Sequence, residues 1–208
     1  MAKSKTSKIE ISLTDFVDFV CKSGGAKLTK VKQIKQRDEY SPATDFYKAL
    51  REGIISNHES DGEKKDLKKI IDDISDPKKI KNYSEAIDGY KKFWGRKKIT
   101  WFEPPFKHWI TGDLDVRINP ELGLEYDEKY YIVKLYLKSD KLSKDKIQQI
   151  LTLMESQLRQ DLDPEIRMAV LDVKNSKLFI KEDDEITLLP LLDGEAKSFE
   201  AIWKGIKI

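Results

Sequence analysis

The chain has 208 residues, of which 39% are hydrophobic and 37% charged, with a net charge of +2 and a single cysteine, Cys21. One cysteine excludes an intramolecular disulfide framework and a cysteine-based zinc cluster, and points to a reducing, cytoplasmic setting. No run approaches the roughly 18 apolar residues of a membrane span, and so low an apolar share means that core positions come from a few periodic segments under a surface dense in charge.

The opening, Met1 to Lys8, is polar and lysine-bearing and is expected to fray, with neither a secretory signal nor an anchor visible. Ser12 or Thr14 then caps a short amphipathic helix through Phe16, Val17, Phe19 and Val20 that stops at Gly24-Gly25. A turn of helix is expected around Val31 and Ile34. Ser41-Pro42 marks a sharper start, because serine caps and proline misses no N–H there. The helix it opens runs to about Ser56, with Phe46, Tyr47, Leu50 and Ile54 on one side. After a polar break over 57–62, Leu67, Ile70, Ile71 and Ile74 return at helical spacing. Asp76-Pro77 and Ser84-Glu85 repeat the capping pattern and predict helices near 77–82 and 84–94.

At about Lys98 the period changes from helical to alternating. Segments 99–102, 109–118, 122–126 and 130–137 are rich in aromatic and β-branched residues. Pro104-Pro105, Asn119-Pro120 and Asp127-Glu128 separate them, the pattern of an antiparallel meander with one wet face. Ser143 begins a longer helix through Ile147, Ile150, Leu151, Met154 and Leu158, ended by Asp161 to Pro164. A hairpin over Met168 to Ile180 turns at Asn175-Ser176, and a last helix runs from Glu195 through Phe199, Ile202 and Trp203. The expected fold is α+β: a helical N-terminal region, 1–97, then a sheet-bearing region, 98–208, whose mostly antiparallel meander is covered by the long helix. No Gly/Ser linker separates the two, so they are expected to form one continuous structure.

The order of strands and helices in the second region, together with Asp113-Leu-Asp115, Glu121, Glu125 and Tyr131-Ile-Val-Lys134, resembles the restriction-endonuclease-like core of the PD-(D/E)XK nucleases. That resemblance implies Mg²⁺ held by an acid on one strand and by an acid two residues before a lysine on the next. Hard carboxylate oxygens suit the metal, and a lysine orients water or steadies phosphate charge. It makes Asp113 and Asp115 candidate metal ligands and Glu121, Glu125 and Lys134 candidate catalytic residues. The position two before Lys134 is Ile132, so the doublet that defines the family is missing. A degenerate core without metal chemistry, or plain outward-facing polar residues on a half-buried sheet, accounts for the same residues. Asp45 to Arg51, Asn119 to Gly123 and Val133 to Leu137 also resemble an uncharacterised bacterial family, which assigns no activity.

Trp101-Phe102-Glu-Pro-Pro-Phe106-Lys107-His108-Trp109 is the most unusual stretch. Its rings beside Arg96, Lys97 and Lys98 either stack on bases while the lysines hold phosphates, dock a protein partner through the Pro-Pro edge, or serve as mortar between two layers. His58 and His108 are the only imidazoles, with no serine or cysteine pattern beside them. Cys21 reads as a small buried hydrophobe. Residues 1–100 hold 23 Lys and Arg against 16 Asp and Glu, and residues 101–208 hold 16 against 21. This dipole either steers a polyanion or reflects solvated lysine-rich helices. The expected function is that of a cytoplasmic, non-enzymatic interaction or scaffold protein with a protein or nucleic-acid partner, no membrane and no cofactor. The alternative is nucleic-acid binding on a nuclease-like scaffold, with Mg²⁺ only if that scaffold is active.

Overall fold

The computed structural model describes residues 8–37, 45–182 and 188–207. The fold is α+β, and several of its elements begin where caps and periodicity place them or a few residues away. A strand absent from the sequence expectation comes first, β1 (Ile9–Ser12), and passes directly into helix α1 (Leu13–Val20), where Ser12 Oγ accepts from the Asp15 amide. Helix α2 (Gly25–Lys35) follows, and Cys21 is an exposed C-cap residue at the end of α1 rather than a buried one. The start expected at Ser41-Pro42 lies outside the described residues, and helix α3 (Lys48–Glu59) extends past the expected break at residue 57. Leu67, Ile70 and Ile71 belong to a 3₁₀ turn, Lys64–Ile71, opened by a reciprocal Glu63 and Asp66 capping box.

The two helices expected over 77–94 are one, α4 (Pro77–Trp94). Asp76 caps it, but Ser84 Oγ bonds back to the Ile80 carbonyl at 2.8 Å, the alternative that a mid-helix serine has to capping. Gly89 lets α4 lie against the sheet, since a Cβ there would stand 2.1 Å from the Val173 carbonyl.

The later strands are β2 (Thr100–Phe102), β3 (Lys107–Thr111), β4 (Leu114–Ile118), β5 (Leu122–Tyr126), β6 (Lys129–Tyr136), β7 (Arg167–Asp172) and β8 (Lys177–Ile180). Helix α5 (Lys144–Leu158) connects β6 to β7, and helix α6 (Leu189–Gly205) closes the chain, starting earlier than expected. The strands form two sheets where one meander was expected. One has the order β1-β4-β3 and the other β2-β5-β6-β7-β8. Segment 109–118 is two strands turning at Gly112, whose φ is +58°. Most pairings are antiparallel, while β1 with β4 and β6 with β7 are parallel.

The larger sheet has no wet face. On β6, Tyr131, Val133 and Leu135 enter a core with Leu50, Ile54, Leu67, Tyr83, Ile87 and Tyr90 from the helices of the first hundred residues. Ile132 and Tyr136, on the opposite face, join a second core with α5, α6, α1 and the inner face of the small sheet (Ile9, Ile11, Trp109, Leu114, Val116, Ile118). Alternation on one strand thus serves two layers. The wet sheet face is the outer face of β1-β4-β3. Among the described residues no helix is long and apolar enough to cross a membrane.

Two polar groups, Asp15 half-buried and His58 buried, show how charge is managed in and beside these layers. Burial opposes ionisation of Asp15, yet hydrogen bonds from Arg37 and Lys30 hold its carboxyl far below the usual range. His58 is buried between Tyr90, whose hydroxyl lies 2.7 Å from Nε2, and the Trp94 ring, stacked at 4.5 Å. Burial pushes its imidazole from 6.5 down to about 4. Between those values the unfolded chain holds a proton that the folded chain lacks, so stability is full above pH 6.5 and falls as the pH drops toward 4. Urea unfolding of the wild type against His58→Gln should show this fall, up to about 3 kcal/mol, only in the wild type; parallel pH profiles would contradict it.

Candidate functional site

The candidate residues separate into three places. Register sets the first. Leu122 stands opposite Val133 between antiparallel β5 and β6, and the Glu121 amide still bonds the Val133 carbonyl at 3.0 Å, so Glu121 faces Lys134. The Lys134 ammonium lies 2.6 Å from Glu121 Oε1 and 2.8 Å from the Asn119 carbonyl. Glu121 Oε2 accepts the Leu135 amide at 2.7 Å. Both side chains are buried. Lys134 is thereby the charged residue between Ile132 and Tyr136 on a face that is otherwise core, neutralised where it enters.

The second place is the outer face of the small sheet. Asp113 and Asp115 do not approach Glu121 there. Asp113, in the turn before β4, accepts from Lys204 at 2.7 Å, and its amide bonds Glu200. Asp115 is 1% exposed and is covered by Lys8 and by His108, whose Nδ1 lies 2.6 Å from Oδ1. Burial alone would raise the Asp115 pKa, and these two partners bring it below the ordinary value. Glu125, further along β5, stands opposite Tyr130 in the register. Asp113, Asp115 and Glu121 are thus each bound to a different set of partners. Among the described residues no group of three His, Cys, Asp or Glu could hold a metal ion.

The aromatic stretch divides in the same manner. Trp109 is buried, its ring centroid 5.3 Å from that of Phe16 in an edge-to-face contact, Phe102 packs on that same core, and Trp101 packs on the other. These rings are mortar. Phe106 is the exception, 52% exposed with its ring 4.8 Å from the His108 imidazole. Lys107 pairs with Asp161 at 2.5 Å.

The third place is the end of α4. Lys97 donates to the Phe93 carbonyl and lies over the Phe93 and Tyr126 rings, so it closes the helix terminus. Arg96 and Lys98 are exposed beside it. A shallow cleft of about 500 Å³ lies here between Lys92, Phe93, Lys97, Tyr126 and the 175–178 turn. Two of its polar side chains are already engaged: Asn175 bonds Asp172 and Ser176 bonds the Gly89 carbonyl.

One residue of the outer face was no candidate in the sequence. Arg117 lies directly opposite His108 in the β3-β4 register and opposite Ser12 in the β1-β4 register. It is half-buried, and its Nε is buried without a hydrogen-bond partner among the described residues. Period two along Asp113, Asp115 and Arg117 marks it as a facing residue, but only strand pairing brings it to His108.

Comparisons of the chain with family models, with curated proteins and with solved structures find no match.

The closed pair has a direct energetic consequence. Lys134→Met leaves the Glu121 carboxylate buried without its cation and should cost about 3–5 kcal/mol in urea unfolding. The double replacement Glu121→Leu with Lys134→Met should recover most of that loss. A single variant as stable as the wild type would mean that the pair is open to water.

Proposed function

We propose that the protein is a non-enzymatic binding protein, an interaction or scaffold protein built on a nuclease-like layout without the metal chemistry. One observation carries this reading: Glu121 and Lys134, the acid and lysine that come together, are spent on each other and on the Leu135 amide. A Mg²⁺ ion needs carboxylate oxygens free to coordinate it and room for its waters. Glu121 offers neither without breaking a buried ion pair, Ile132 supplies no oxygen, and Asp113 and Asp115 are engaged elsewhere.

The succession β5-β6-α5-β7, with β6 and β7 parallel, supports the degenerate form of the resemblance over an unrelated meander. Function then resides on surfaces. The outer face of β1-β4-β3 is the best supported of them, because it exposes Phe106, just before β3, and Ile110, within it, 52% and 58%, on either side of His108. Apolar side chains left at the surface in a group mark interaction sites more often than scattered ones do.

The reading is tested by adding millimolar Mg²⁺ or Mn²⁺ to the full chain. The thermal midpoint should stay unchanged, and plasmid and labelled single strands should remain intact. A metal-dependent rise in the midpoint, with cleavage that Glu121→Gln abolishes, would overturn it.

A further inference from the structure

We propose that the outer face of the small sheet binds a nucleic-acid strand, with a backbone phosphate on Arg117 and a base against Phe106. This names the partner of the binding protein argued above and rests on that reading.

The lysines and arginines near this face are otherwise committed. Lys8 pairs with Asp115, Lys107 with Asp161, Lys204 with Asp113, and Arg37 with Asp15. Arg117 is half-buried and has no acid partner among the described residues, although Asp115 lies on the same strand face two residues away. Asp115 is held instead by Lys8 and His108. A guanidinium so placed loses part of its hydration without gaining a counter-charge, which an arriving anion would supply. Its fork presents N–H groups in the geometry of phosphate oxygens.

Opposite residues of an antiparallel pair have Cβ atoms about 5 Å apart, so His108 flanks Arg117 on the same face. The bond to Asp115 occupies Nδ1 and leaves Nε2 as the imidazole's other hydrogen-bonding nitrogen, which no described residue bonds. The Phe106 ring stands edge to face with that imidazole, and more than half of it is open to solvent. A cation on β4, an imidazole opposite it on β3 and an exposed ring just before β3 set a charge and a π face side by side, and every nucleotide brings a base to stack and a linkage whose charge can be held. Glu10, exposed across from Asp115, is the acid on this face that an anion would meet, and it places the phosphate at the Arg117 end rather than the Lys8 end.

The test uses the full chain and a fluorescein-labelled oligothymidylate of about a dozen nucleotides, read by anisotropy at low salt. Saturable binding that weakens steeply with added salt is expected. Arg117→Gln should reduce affinity about tenfold or more. Phe106→Ala, which alters an exposed ring and leaves the core intact, should reduce it by a similar factor. Arg96→Gln, at the end of α4, should leave it unchanged. Absence of binding at low salt overturns the proposal, as does equal affinity of the Arg117 and Phe106 variants and the wild type. Polyglutamate competing as well as the unlabelled strand would also overturn it, since charge alone would then explain the attraction. None of these outcomes depends on divalent metal, so failure here is separable from failure of the non-enzymatic reading.

Discussion

A lysine inside a sheet covered on both faces requires a counter-charge, and the arrangement of β5 and β6 follows from that requirement. Glu121 stands at the register position opposite Lys134, its second oxygen takes the Leu135 amide, and the Asn119 carbonyl is the ammonium's second acceptor. Because each partner alone would be an uncompensated charge in a dry layer, the pair fixes the β5-β6 register where the chain turns out of β4. A slip by one residue would separate the charges and exchange the two faces of β6. The same closure leaves both Glu121 oxygens occupied by groups of the protein itself.

Around that strand the two cores divide the chemistry. On one side the helices α3 and α4 and the 3₁₀ turn bury Tyr83, Tyr90 and His58 in an aromatic layer. On the other, α1, α5 and α6 pack between the two sheets. Both cores draw residues from before and after position 97, so the helical beginning and the strand-rich end are packed together. With both faces of the large sheet covered, the outer face of β1-β4-β3 is where sheet residues meet solvent, and it holds His108, Asp115, Arg117 and Phe106.

Much of this was legible in the sequence where the cause is local. Ser143 and Ser12, the latter one of two caps expected for α1, cap their helices, Asp76 caps a helix longer than the one expected to follow it, and the aromatic and β-branched alternation after residue 98 gave strands. Ser84 misled because a serine can satisfy its hydroxyl by capping or by bonding back four residues, and the close approach of Gly89 to the chain just after β7 goes with the unbroken helix. The division into two sheets was not legible, since it depends on β1 pairing with β4 about a hundred residues away. Of the candidate site, Glu121 and Lys134 were named and they meet. That their groups satisfy each other, that Asp115 turns to His108, and that Arg117 lies beside it are consequences of register, which no local pattern carries.

The central claim is that the Glu121 carboxylate is closed to metal by Lys134. A crystal of the full chain soaked in Mn²⁺, with an anomalous difference map, tests this most directly. No peak should lie within coordination distance of either Glu121 oxygen, and Lys134 should remain in place; a peak about 2.2 Å from those oxygens, with the ammonium displaced, would contradict it.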